Sequence, residues 1–165
     1  MILSGKSAAF WDHARSKAAA CNRLGSDLRR MGIFFALSPA VIGALLAVAT
    51  LPLHLLLSKM QSEQFAAVLL AVIGAIYVGF GLQTGNRMQI VTEVMGALGF
   101  FSAALAGLWV TPWIIPVAYV IHGIWDYAHH KGSRLTAIPL WYPPFCVVYD
   151  WVAAGGLVVI WSLRA

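Results

Sequence analysis

The chain has 165 residues, of which 61% are hydrophobic and only 10% charged, and its mean hydropathy is +0.80. Soluble domains are nearer half apolar and a quarter charged, so this composition excludes a water-soluble globular domain and points to lipid as the solvent. The formal net charge of +5 follows membrane topology, as set out below, and calls for no nucleic-acid partner.

Residues 1–30 hold no apolar run of signal-peptide type. Phe10, Trp11, Ala14, Ala18, Cys21, Leu24 and Leu28 recur there at three- and four-residue steps, while the other positions carry Lys6, Asp12, His13, Arg15, Lys17 and Arg23. This pattern predicts an amphipathic interfacial helix, its cations turned toward anionic headgroups. Residues 31–165 then form the transmembrane domain. Five segments are long enough to span: Met31–Leu57, Phe65–Leu82, Met88–Trp109, Trp113–His130 and Pro143–Leu163. Period-2 alternation is absent, so the spans are helices, the structure that satisfies its own backbone in hydrocarbon. The predicted fold is an all-α integral membrane protein, a bundle of about five transmembrane helices with an N-terminal amphipathic helix. The fourth span is the shortest and most polar, and it depends most on its neighbours.

Nine of the eleven Lys and Arg residues fall before the first span, in the second loop (Arg87) or in the fourth (Lys131, Arg134), leaving Lys59 and Arg164 on the other side. The positive-inside rule then predicts an inner or plasma membrane protein with its N-terminus cytoplasmic and its C-terminus outside. Short loops predict that sequential helices are antiparallel neighbours in an up-down bundle. Pro39, Pro52 and Pro116 fall inside the spans and are expected to kink them. Gly96, Gly99 and Ala103, with Ala153 to Gly156, allow close helix approach. Trp109, Trp113, Trp141, Tyr142, Trp151 and Trp161 are expected as interfacial anchors. The stiff segment Ile138-Pro-Leu-Trp-Tyr-Pro-Pro144 is either such an anchor or a lid over a site opening toward the cytoplasm. Cys21 and Cys146 suggest no disulfide.

Three of the six acidic residues, Glu93, Asp126 and Asp150, lie within these spans. A carboxylate in hydrocarbon costs a few kcal/mol at least, so such residues are normally paired, ion-bound or facing water. At about 100° per residue, Asp126 lies near 40° from His122, His129 near −20° and His130 near 80°. His122, Asp126 and His129 thus share one face, with His130 at its margin. At about 1.5 Å per residue, Glu93 sits roughly 7 Å in from the cytoplasmic side, Asp150 10 Å, His122 12 Å and Asp126 6 Å. All fall in one layer. Tyr77, Tyr119, Tyr127 and Gln83 can reach that layer as supporting partners. Cys146, one turn before Asp150, reads better as a small hydrophobe than as a ligand, and His54 and His13 are left outside the site.

Imidazole and carboxylate donors on neighbouring turns suit a divalent metal such as Zn, Fe or Mn, with three carboxylates leaning toward iron or manganese. The expected metal ligands are His122, Asp126, His129, His130, Glu93 and Asp150, with Glu93 or Asp150 also a candidate general base. Asp126-Tyr-Ala-His129-His130 resembles the HxxHH histidine box of membrane desaturases and hydroxylases, Asp126 standing where that box has its first His. The resemblance covers five residues and implies iron chemistry; those families carry several such boxes, and this chain has one. Intramembrane hydrolases that hold zinc with His and Asp on adjacent helices offer a similar, looser likeness.

The expected function is a small intramembrane metalloenzyme acting by hydrolysis or oxidation on a lipid-like or apolar substrate, with membrane lipid around it. Two alternatives use the same residues. One is a proton or ion pathway, for which the outer half offers only His54. The other is an accessory subunit of a larger membrane complex or a homo-oligomer, in which the polar cluster is a structural contact.

Overall fold

The computed structural model describes residues 38–164 except Gly85 and residues 131–134. The amphipathic helix expected over residues 1–30 lies outside the described residues. The described chain is five helices: α1 (Pro39–Leu56), α2 (Lys59–Thr84), α3 (Arg87–Trp109), α4 (Ile114–His130) and α5 (Tyr142–Ser162). No strand occurs among the described residues. Four of the helices, α1, α2, α3 and α5, are long and apolar enough to cross a membrane. The other, α4, has 17 residues and is the most polar on its buried face.

Local sequence sets the helix starts. Ser38 caps α1 by accepting from Val41 N at 3.3 Å, and Pro39 takes the first helical position. That correction to the expected kink has a simple cause: the missing proline N–H is not needed in a first turn. Pro143 and Pro144 open α5 in the same way. Pro116 falls in the first turn of α4, so Pro52 alone of the three expected kink residues is interior. Ser58 and Gln61 form a reciprocal capping box: Ser58 N donates to Gln61 Oε1 at 3.1 Å and Gln61 N to Ser58 Oγ at 3.3 Å. This box starts α2 six residues before the expected Phe65. Asn86 caps α3 by accepting from Met88 N at 3.0 Å.

The helices alternate in direction. Gly74 faces Phe100 and Gly81 faces Glu93, so α2 and α3 run antiparallel; Gly96 against Trp125 and Gly107 against Ile115 say the same of α3 and α4. The pairing is not sequential throughout, however. α1 packs along α5, parallel to it, with Gly43 on the Phe145 carbonyl and Gly156 under Leu51. α1 and α2 touch chiefly near the two residues that link them. The expectation of neighbours in strict chain order fails here because two glycine contacts draw α1 onto α5, and nothing comparable joins it to α2. A cleft is left between α1 and α2.

At the end of the bundle holding the α1–α2 link, a polar knot ties three helices. Ser62 Oγ lies 2.8 Å from His54 Nδ1 and accepts from Trp161 Nε1 at 2.8 Å. Arg164 donates to the carbonyls of His54 at 2.8 Å and Leu57 at 3.0 Å, and also to that of Leu55. These are orphan carbonyls at the C-terminus of α1, where a cation is also favoured by the helix dipole. Trp161 is fully buried; it is a structural donor and not the interfacial anchor expected. We predict that Arg164→Ala lowers stability by about 1–3 kcal/mol, seen as a lower thermal midpoint in detergent, with Arg164→Lys intermediate because a lysine lacks the fork that reaches several carbonyls.

Candidate metal centre

The polar layer lies toward the opposite end of the bundle. The buried face of α4 includes His122, Gly123, Asp126 and His129, the face expected from helical spacing. His122 Nδ1 sits 2.7 Å from Asp150 Oδ2 on α5 and 3.3 Å from Asp126 Oδ2 one turn on. The Tyr77 hydroxyl on α2 donates to Asp126 Oδ1. His122, Asp126 and Asp150 each offer one donor atom, and these atoms all lie within 4.8 Å of one another. All three side chains are out of contact with solvent. Such a group can hold a metal ion.

Two of its atoms are unspent. Asp126 Oδ2 is near His122 Nδ1 but has no hydrogen bond, so that 3.3 Å contact is Coulombic only; His122 Nε2 has no partner either. Buried polar atoms are ordinarily satisfied, and an unpartnered one costs about 1–3 kcal/mol. Charge makes the same point. Two ionised carboxylates around a neutral imidazole carry two negative charges in a medium of low dielectric, which two protons or one divalent cation would offset. Among the described residues the Lys and Arg side chains, Lys59, Arg87 and Arg164, all stand at or near helix ends.

The second acid–imidazole pair is separate. His129 Nε2 lies 2.9 Å from Glu93 Oε1, and His129 Nδ1 lies 2.9 Å from the Trp125 carbonyl. A carbonyl only accepts, so Nδ1 carries a hydrogen. The Nε2–Oε1 contact therefore holds one further proton, on one atom or the other, and the pair is neutral as a whole. Glu93 Oε2 is buried without a partner. Tyr77 stands between the two groups, with its ring 5.9 Å from that of His122 and 4.8 Å from that of His129, centroid to centroid. Phe100 closes over His122 at 4.6 Å.

Glycines set these approaches. A side chain at Gly123 would run into the Trp151 indole, so its absence lets α5 bring Asp150 up to His122; one at Gly81 would press on Glu93. Residues 37–163, which take in all five helices, match a family of unknown function, DUF6010. The chain belongs to that family. No curated protein and no solved structure matches it.

In this DUF6010 member the six expected ligands therefore divide. His122, Asp126 and Asp150 come together; Glu93 and His129 pair beside them; His130 is exposed at the end of α4, where it lines a surface hollow with Ala40 and Val147. Seven residues of helix separate His122 from His129, about 10 Å of rise, which is why one face feeds two groups. Of the supporting partners expected, Tyr77 is in place. The Tyr119 hydroxyl turns away to the Ala66 carbonyl at 3.0 Å, and Gln83 and Tyr127 are exposed. Cys146 is buried against Tyr77 and Tyr142. In the segment before α5, Ile138 packs onto that cluster while Leu140 and Trp141 stay exposed.

The glycine contact gives a direct prediction. Gly123→Ala should cost about 1–3 kcal/mol, the usual penalty of overpacking, in a detergent unfolding titration. Gly155→Ala, on the same pair of helices but with open space around it, should be close to neutral.

Proposed function

We propose that the protein is an integral membrane metalloenzyme in which His122, Asp126 and Asp150 hold one divalent cation. The observation that carries this reading is the convergence of three buried donor atoms within 4.8 Å, two of them carboxylate oxygens, with Asp126 Oδ2 still unpartnered. Two carboxylates and one imidazole favour manganese or iron over zinc on ligand hardness. A divalent ion held there supplies Lewis acidity, or with iron redox capacity, inside a site that excludes water.

The remaining roles belong to the chain. Tyr77 fixes the Asp126 carboxylate by holding Oδ1, which leaves Oδ2 aimed at the His122 side. Asp150 joins the cluster to the cleft between α1 and α2, where it is a lining residue. The Glu93–His129 pair stores one proton between Oε1 and Nε2, beside the cluster and across Tyr77 from it. On this reading Glu93 serves as the proton reservoir. The substrate is lipid-like or apolar, because the spaces around the site open between membrane-spanning helices. The positive-inside rule puts this layer in the cytoplasmic half, with the N-terminus cytoplasmic and the C-terminus outside.

The close-set run Tyr77–Asp126–His122–Asp150, hydrogen-bonded at its two ends and in Coulombic contact between them, also favours a second reading, a proton pathway. It is the weaker one. Between this layer and the His54–Ser62–Trp161 knot the described core is largely apolar, with Leu70, Ala104, Ile115 and Leu157. Its hydroxyls are turned to local partners, Tyr119 to the Ala66 carbonyl and Thr50 to the Ala47 carbonyl and Tyr149, not to the layer or the knot. A homo-oligomer or a larger membrane complex is compatible with either reading.

Metal content by mass spectrometry tests the proposal. Detergent-purified wild type should carry about one equivalent of Mn, Fe or Zn per chain, Asp126→Asn should carry none while remaining helical, and His130→Ala should keep its metal. Unfolding of Asp126→Asn, or equal metal in wild type and variant, would make the cluster structural. Tyr77→Phe removes a supporting hydrogen bond only, and should weaken metal affinity by about 10–100-fold in a competition titration.

A further inference from the structure

The cleft between α1 and α2 has a volume of about 300 Å³ and reaches from Phe65 to Ile76 along α2. Eleven residues of helix rise about 16 Å, roughly half of the hydrocarbon thickness of a bilayer. The cleft therefore runs along the membrane normal, the direction of a lipid chain. Leu46, Phe65 and Ile76 at its rim are exposed on the outer surface of the bundle, so it opens sideways into the bilayer. Its walls are aliphatic and aromatic. The Thr50 hydroxyl is turned back onto the Ala47 carbonyl at 2.8 Å.

One charged residue is among those that line this space. Asp150 lines the cleft, while its Oδ2 lies 2.7 Å from His122 Nδ1; it is 1% exposed. The other two members of the cluster are not part of the lining. The height of Asp150 along the cleft follows from the register of α2 and α5. Ser62 meets Trp161, and Tyr77 meets Tyr142, so Asp150 stands level with Leu70 and Ala71. Apolar wall continues past it in both directions, to Ile76 and Tyr142 on one side and to Phe65 on the other.

We infer that the cleft takes a single hydrocarbon chain of a membrane lipid, admitted sideways from the bilayer, and presents an internal position of that chain to Asp150. A headgroup-directed site would place its charged residue at one end of the groove, next to the interface. Here the charged residue is in the middle, with hydrocarbon-compatible wall above and below. The substrate class is accordingly a long chain with its reacting group part-way along. This inference takes its chemistry from the metalloenzyme reading; the occupancy of the cleft does not depend on it.

The test is photo-crosslinking in phosphatidylcholine vesicles with a phosphatidylcholine whose second chain carries a mid-chain diazirine, followed by peptide mass spectrometry. Metal content is measured on the same samples. Labelling is expected to concentrate on Tyr149, Asp150 and Ile73, to be lost in Ile73→Trp and in Leu69→Trp, and to survive in Ile121→Trp, which alters the exposed α3–α4 face. Two different cleft-filling variants guard against one of them failing to fold, and each is checked by size exclusion. Label spread evenly over the lipid-facing surface, or labelling undiminished in both cleft-filling variants, would overturn the inference and leave the cleft to the chain's own residues or to a second copy. A labelled cleft in wild type without metal would uphold the chain site and remove the metal centre. Metal without cleft labelling would do the reverse.

Discussion

Three carboxylates stand inside helices that are otherwise apolar, and each has to be neutralised where it stands. That constraint organises the bundle. Glu93 is matched by His129, one proton making the pair neutral. Asp126 and Asp150 are matched against a single imidazole, His122, and the balance closes with two protons or with a divalent cation. All five side chains are buried. The packing of α2, α3, α4 and α5 around one level of the membrane is the structural expression of this balance.

The geometry that meets the constraint is made from small residues and one phenol. Gly123 lets Trp151 and Asp150 come close to α4. Gly81 gives Glu93 its place, and Gly43 and Gly156 commit α1 to α5. That last choice has a functional consequence. Because α1 lies along α5, the gap beside α2 stays open, and its wall includes one member of the cluster, Asp150. Tyr77 joins the two acid–imidazole groups by its hydroxyl on Asp126 and its ring against both histidines. The other end of the bundle is held by a different set of contacts, those of Ser62, Trp161 and Arg164.

Much of this was legible in the residues. Hydropathy and length identify the spans, and the 100° step places His122, Asp126 and His129 on one face because α4 is a regular helix over that stretch. The common depth of Glu93, His122, Asp126 and Asp150 also follows from rise per residue alone. What periodicity does not carry is the choice of partner. It does not say that His129 turns to α3 while His122 turns to α5, because that depends on helix rotation set by glycine contacts with Trp125 and Trp151. The pairing of α1 with α5 hides for the same reason, and with it the cleft. His130, only 80° from His122, falls outside because it lies on the last residue of the helix, beyond the packed face. Tyr77 was one of several polar residues at the right level, and only the rotation of α2 singles it out. The Ser58–Gln61 capping box was readable and is the clearest local signal of where α2 begins.

The central claim is that the His122, Asp126 and Asp150 group is balanced by a divalent cation in place of protons. Infrared difference spectroscopy tests it most directly, using the Glu93→Gln protein so that Asp126 and Asp150 are the buried carboxyls left among the described residues. Stripped of metal with a chelator, the protein should show a protonated-carboxyl band that disappears when Mn²⁺ is added and returns on chelation, with protons released as the ion binds. A band that is unchanged by metal, or no protonated carboxyl in the stripped protein, would contradict the account.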